Sequence, residues 1–448
     1  MITDLAVTNF KAWESLEAVR LAPLTGLFGT NSSGKSSVLQ LLLLLKQTVE
    51  SADRAQVLDF GDERSLTSLG GMRDVLFQHD IKRALSFGLT WERELALQVP
   101  DPQARRPQVL FEDASPNFDA VIESDNKGQP RVRRMSYGIA GRRFSLAMQA
   151  GSPTKYKLES EGRGFKFVRQ PGRVWPLPPP VKFYGFPDEV KAHYQNAGFL
   201  ADLELAFESL FTEMYYLGPL REYPKREYLW SGGQPAGVGD KGERAVSALL
   251  AARGVPFSPG YKKKRVSLEQ FTASWLERLG LISSFRVEEL APGSNLYQVK
   301  VRRTESSPDV LITDVGFGVS QVLPIIVLLF SVPKKSILLL EQPEIHLHPS
   351  VQAGLADVFI EAVNLRNVQI IFESHSEHLL QRLQRRIAER EFRPEQTALF
   401  FSSMEAEGAS LSELQLDDFG NIKNWPPGFF GDPLADSSAM LEAQLAHG

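Results

Sequence analysis

The stretch GTNSSGKSS, residues 29–37, constrains this chain more than any other. It satisfies the pattern G-x-x-x-x-G-K-[ST] in full. Gly29 and Gly34 let the backbone curl so that successive N–H groups face phosphate oxygens. Asn31, Ser32 and Ser33 form the curl, and Lys35 neutralises β/γ-phosphate charge. Ser36 offers a hydroxyl to Mg²⁺, and Ser37 lies in the first turn of the helix that follows. An apolar strand over 23–29 precedes the loop. A helix over 32–50 follows, and its positive end completes the anion site. The apolar run 38–45 is far below the ~18 residues a membrane span needs, so it reads as a buried helix. Strand, loop and helix in this order point to an α/β fold with parallel strands around a nucleotide.

The far end of the chain repeats that layout. From 312 to 378 the pattern runs loop, helix, strand, helix, strand. Gly316, Gly318 and Ser320 sit in a glycine-rich turn that opens an apolar helix, a second N-terminus able to meet a phosphate. Ile337–Leu340 form a buried strand that delivers Glu341. Gln342 then stands where many ATPases of this build place a second, water-activating acid. The strand over 368–373 ends at SHSEH, which puts His375 at a strand tip within reach of a γ-phosphate or its attacking water. Between the two ends, 85–170 alternates in short runs punctuated by Gly, Pro, Asp and Asn, as an antiparallel β subdomain does. Residues 170–187 are proline-rich and cannot be a regular helix. A helix over 199–214 and a strand over 215–220 lead back to the core.

The phosphate loop, the Gly-x-Gly-x-Ser-Gln turn (316–321), LLLEQPEIHLHP and ESHSEH together resemble the ABC-type ATPases related to the SMC, RecF and OLD-nuclease ATPase heads. The resemblance narrows to bacterial AAA-family proteins whose tails carry a short domain of unknown function, similar here to DDFGNIKNWPPGFFGD (417–432). YLGPLREYPKR (216–226) is similar to the same subgroup. The resemblance implies an α/β, ABC/SMC-head-like P-loop NTPase fold, with a mainly parallel core sheet and an inserted antiparallel β-rich subdomain with helices. Residues 1–84 would form the N-terminal part of the ATPase core. Residues 85–210 would be the insert, with its Pro-rich linker and helix. Residues 211–400 would be the C-terminal part of the core, and 401–448 a C-terminal tail domain. It also implies ATP and Mg²⁺ as cofactors, held in a head-to-tail homodimer with two ATPs at the seam. Lys35 and Ser36 of one subunit would hold the phosphates and metal, with Glu341 as the Walker B acid; Gln78, 43 residues beyond Lys35, is in range of a Q-loop glutamine or else sits in a surface turn. Gly318 and Ser320 of the other subunit would cap the γ-phosphate, with His375 as the switch histidine. Lys11 is expected near the nucleotide or simply exposed. Arg221 is expected at a phosphate, an interface or a salt bridge.

Gln342 carries an amide, which orients water but does not take its proton at neutral pH. Three readings follow: slow hydrolysis, with Glu344, His346 or His375 helping the proton; ATP binding without turnover; or a Glu-to-Gln change that traps ATP. Glu344, His346 and His348 have an alternative reading as a metal site, though the resemblance makes this segment a packing element. The net charge of −4 argues against a chain that coats nucleic acid throughout. Basic clusters at 131–134, 142–143, 262–265 and 382–390 still allow a local nucleic-acid groove. The absence of cysteine excludes disulfides, and the N-terminus lacks a signal-peptide layout, so a cytoplasmic protein without a membrane partner is expected. No run of spaced acids after His375 could build a nuclease metal site. The expected function is a slow, dimeric ATP-dependent switch for an effector protein encoded nearby, in anti-phage defence or the DNA-damage response. The alternative is a stand-alone RecF-like DNA-binding repair ATPase.

Overall fold

The computed structural model describes residues 1–100, 108–173, 175–406, 408–426, 429, 438, 440 and 442–444. The chain opens with β1 (Ile2–Phe10) and β2 (Trp13–Arg20), then runs through β3 (Leu24–Gly29) and the phosphate loop into α1 (Lys35–Glu50). A short helix, α2 (Met72–Val75), leads to antiparallel strands. These are β4 (Leu85–Trp91), β5 (Leu97–Pro100), β6 (Val109–Asp113), β7 (Asn117–Ser124), β8 (Pro130–Ile139), β9 (Arg142–Gln149) and β10 (Ser152–Glu161). Helices α3 (Glu189–His193) and α4 (Leu200–Thr212) return the chain to β11 (Met214–Leu217). Next come β12 (Tyr228–Leu229), α5 (Ala245–Ala251), α6 (Leu268–Arg278), β13 (Ser284–Glu289), β14 (Leu296–Arg302) and β15 (Val310–Leu311). The last third holds α7 (Gly318–Ser331), β16 (Ile337–Glu341), α8 (Pro349–Arg366) and β17 (Gln369–Glu373). It ends with α9 (Glu377–Ala388), β18 (Thr397–Glu405) and β19 (Gly408–Glu413).

The core sheet has the order β11-β16-β17-β3-β18-β19, parallel except for the terminal hairpin strand β19. Its strands read as nearly unbroken apolar runs because both faces are covered. The period of two sorts them cleanly. Leu27, Ile337, Leu339, Ile371, Ala398 and Phe400 join the core built with α1, α4 and the antiparallel layer. Phe28, Leu338, Leu340, Ile370, Phe372, Leu399 and Phe401 face the other core, with α5 to α9.

The antiparallel layer has the order β10-β9-β8-β7-β4-β1-β2, so it draws on both sides of residue 84. β1 pairs with β4 through Leu5↔Leu89 and Val7↔Phe87. Gln369 fastens this edge to the core sheet: its amide accepts from Ile2 N at 2.9 Å and donates to Ile2 O at 2.7 Å. At the other boundary, β18 runs through residue 400 and pairs with the phosphate-loop strand over Thr397↔Leu24 to Ser402↔Gly29. The first strands of the expected tail domain are therefore core strands. Beyond β19, residues 414–426, 429, 438, 440 and 442–444 of that tail are described. Among the described residues no helix is long and apolar enough to cross a membrane.

Candidate functional site

The phosphate loop leaves the C-terminal end of β3 in a shape only particular residues tolerate. Gly29 has φ +139°, and a Cβ there would lie 2.0 Å from the Ser402 carbonyl oxygen of β18. Gly34 has φ +90° and Ser32 φ +60°. Ser33 Oγ donates to Thr30 O at 2.8 Å, and Trp13 Nε1 donates to Gly34 O at 3.1 Å. Ser402 Oγ donates to Ser33 O, bracing the loop from the β18 side. Asn31 and Ser32 are exposed at the tip, whereas Ser37, in the first turn of α1, is buried. Lys35 is 3% exposed, and its Nζ donates to Gly29 O at 3.1 Å and Thr30 O at 2.5 Å. Burial lowers its pKa, and the charges of Glu373 and Glu344 pull it back up. The loop thus holds a cation where a phosphate charge would sit.

Opposite the loop, three carboxylates meet at the ends of β16 and β17. Glu341 and Glu373 are register partners. Burial, then the Glu373 charge, pushes Glu341 up to about 7 against the opposing pull of Tyr216 and Arg221. Glu373 is raised chiefly by burial, offset by the Ser36 hydroxyl, the Lys35 charge and the Gln342 side chain. Ser36 Oγ donates to Glu373 Oε2 at 2.7 Å. Glu344 is buried; its Oε1 accepts from His375 N at 2.6 Å, while its Oε2 has no partner. Arg221 is 7% exposed, and none of its three guanidinium nitrogens has a hydrogen-bond partner. Burial lowers its pKa to about 10, so it stays a cation at neutral pH beside Tyr216, Glu341 and Glu344. A hydroxyl bonded to one carboxylate, Glu373, whose register partner is a second, Glu341, suits a divalent cation that rides mainly on nucleotide phosphates. Mg²⁺ in such sites takes only one or two protein groups. Among the described residues no cluster of three or more His, Cys, Asp or Glu forms a dedicated cage.

The other expected residues divide. Gln342 occupies the left-handed region at φ 41°, and its N donates to Glu373 O at 2.9 Å. His375 lies over the loop: its ring bonds the Gly29 backbone, and burial with the Lys35 charge lowers its pKa, so it is neutral at pH 7. Gly318 opens α7, but Ser320 is 6% exposed and its hydroxyl donates to Phe317 O at 2.7 Å, within the first turn of the same helix. Gln78 is exposed at φ 54°, and no hydrogen bond joins it to Ser36, Glu341 or Glu373. Lys11 Nζ reaches Gln40 on α1 at 2.7 Å. His346 and His348 diverge: His346 packs edge-on against Phe317, and His348 caps α8. Sequence reasoning missed Glu373, Trp13 and Ser402, which acquire meaning only once strand order is known.

Residues 259–380 match the family described as AAA ATPase domain, and 393–437 match the protein of unknown function family DUF3696. The chain carries an AAA ATPase domain. The matched segment holds α7, Glu341 and His375, and the phosphate loop lies outside it. The DUF3696 segment contributes β18 and β19 to the same sheet as the ATPase strands. No curated protein matches the chain in sequence. Among solved structures it is similar to an SMC head bound to the C-winged helix domain of ScpA, at 11% identity and a TM-score of 0.44, covering 93% of this chain and 98% of that one. It is also similar to the SMC head domain from Thermotoga maritima, at 9% identity and a TM-score of 0.42, over 92% and 99% of the chains. The Smc head with an extended coiled coil from Pyrococcus furiosus gives 11% identity and a TM-score of 0.41, over 99% and 98%. At such scores these likenesses add nothing to the strand order above.

Proposed function

We propose that this ATPase is a slow ATP-dependent switch: it binds MgATP on the phosphate loop, closes into a homodimer, and signals to a separate effector protein in anti-phage defence or the DNA-damage response. The observation that carries the reading is the combination of a complete loop around Lys35 and Ser36 with an amide, Gln342, in the position after Glu341. Lys35, Ser36 and the loop amides bind the triphosphate and its Mg²⁺, which neutralises charge on the transferring phosphoryl group. Gln342 orients water without taking its proton, and neutral His375 is available at the loop.

The test is a size measurement with and without ATP, alongside steady-state hydrolysis, for the wild type, Lys35→Ala and Gln342→Glu. ATP should enlarge the wild-type particle, Lys35→Ala should abolish both the enlargement and turnover, and Gln342→Glu should raise turnover many-fold. If Lys35→Ala changes neither size nor turnover, the switch reading fails.

A second reading, a DNA-binding repair ATPase, is favoured by one surface. The basic clusters at 131–134, 142–143 and 382–390 are largely neutralised from within: Arg131 by Glu123, Arg134 by Glu161, Arg143 by Asp119, and Arg382 and Arg386 by Asp357. Lys262, Lys263, Lys264 and Arg265 are exposed and form no ion pair among the described residues. Arg265 joins Tyr261, Lys334 and Arg366 around a cleft of about 560 Å³, and Tyr261 is 89% exposed. Unpaired cations beside an exposed aromatic ring suit a single strand of nucleic acid. Anisotropy with a labelled oligonucleotide across a salt series discriminates the readings. Binding lost in Lys262→Glu/Lys264→Glu supports the second, and no binding at low salt removes it.

A further inference from the structure

With an amide at 342, the location of the carboxylate that serves the loop hydroxyl is decided by the strand order. β17 lies between β3 and β16, so its last residue is one strand from the phosphate-loop strand and Glu341 is two away. At roughly 4.8 Å per strand, a carboxylate on β17 reaches the start of α1 with half the span. Glu373 is that residue: its Cα registers with Leu27 on one side and Glu341 on the other. Its Oε2 accepts the Ser36 hydroxyl at 2.7 Å, and no hydrogen bond joins Ser36 to Glu341.

We propose that Glu373 is the positioning residue for the metal of this site. Its carboxylate takes the Ser36 hydroxyl proton as a hydrogen bond and turns the oxygen lone pair toward a Mg²⁺ carried in on the nucleotide. This deepens the MgATP reading above and rests on it. Partners outside the first coordination sphere orient metal ligands in this way, and losing one typically costs about 10–100-fold in metal affinity. The same placement explains Gln342. Its N donates to Glu373 O, so an acid at 342 would set a third carboxylate beside Glu341 and Glu373 at one buried sheet end. In this chain the second acid stands one strand over, at the end of β17, and the position it leaves behind is an amide.

The experiment is a titration with a fluorescent ATP analogue, in Mg²⁺ and in EDTA, which reads binding without turnover. The wild type should gain affinity with Mg²⁺. Glu373→Ala should lose about tenfold or more of that gain, while its affinity in EDTA stays equal or rises, because a carboxylate near the phosphates is gone. Ser36→Ala should lose a similar factor, and Ser36→Ala/Glu373→Ala should lose no more than either alone, since the two act as one unit. The isosteric Glu373→Gln keeps an acceptor for Ser36 and should retain part of the gain; melting curves confirm that each variant is folded. Two results overturn the assignment: a wild-type Mg²⁺ gain in Glu373→Ala and Glu373→Gln, or losses in the double variant that multiply. Failure of the wild type to bind the analogue in either buffer instead refutes the nucleotide reading itself, and this assignment with it.

Discussion

Glu341, Glu344 and Glu373 bring three carboxylates, the first half-buried and the others buried, to one end of the core sheet, with Lys35 and Arg221 as the cations that face them. That balance makes two substitutions informative. Gln342→Glu adds a fourth acid beside Glu373, so in metal-free buffer it should lower stability by about 1–3 kcal/mol in urea melts. The exchange Gln342→Glu/Glu373→Gln restores the charge count and should recover most of the loss; equal losses in both variants contradict the charge argument. Arg221 has buried, unpartnered nitrogens, yet Arg221→Ala should cost about 3 kcal/mol because it leaves carboxylates buried without their cation. At this scale Lys35, Ser36, Glu341 and His375 were legible because motif spacing encodes them along the chain. Glu373 was not legible. Its role comes from Ser36, 337 positions away, and from a strand order the sequence does not state.

At the scale of elements, α1 shows how the loop is anchored at its far end. Lys182 Nζ donates to Val49 O and Ser51 O, both at 2.7 Å, closing the C-terminus of α1, where the last carbonyls have no helical partner. Lys182→Met keeps the stem and removes the donor, and should cost about 1–2 kcal/mol in thermal melts. On α4, burial pushes Glu204 up to about 7, with Lys191 opposing and Glu208 and Asp188 adding to the rise, while its carboxylate accepts from Phe186 N. The folded state therefore holds this proton more tightly than the unfolded chain. Its contribution is full below pH 4.5 and is lost as pH rises through 7. Glu204→Gln keeps the acceptor without the charge, so it should match the wild type at pH 4.5 and exceed it by about 2 kcal/mol at pH 8. The long elements α1, α4, α7, β16 and β17 were readable from unbroken apolar or amphipathic runs. β18 was harder. Its sequence TALFFSSME has an apolar half and a polar half without alternation, and nothing local says that it pairs in parallel with a strand 373 residues earlier.

For the whole molecule, the C-terminal ends of the parallel strands gather one exposed apolar group as well as the phosphate loop. The Tyr223 ring packs on Phe317 at 5.3 Å, and Phe317 on His346 at 5.9 Å. Tyr223 is 75% exposed and Leu220 70%. These side chains come from the segments after β11, before α7 and after β16, so the parallel order places them on the nucleotide side of the sheet. The Ser320 hydroxyl is already bonded to Phe317 O, and this aromatic group lies beside it at the α7 N-terminus. The switch reading then makes a separable prediction. Phe317→Asp should leave ATP-analogue affinity of the monomer within about twofold, because the ring contacts of Phe317 are with Tyr223 and His346, yet abolish the ATP-dependent increase in size through an unpaired charge at the seam. A Phe317→Asp protein that still enlarges with ATP would place the closing surface elsewhere, while one that loses ATP binding would make Phe317 part of the nucleotide site.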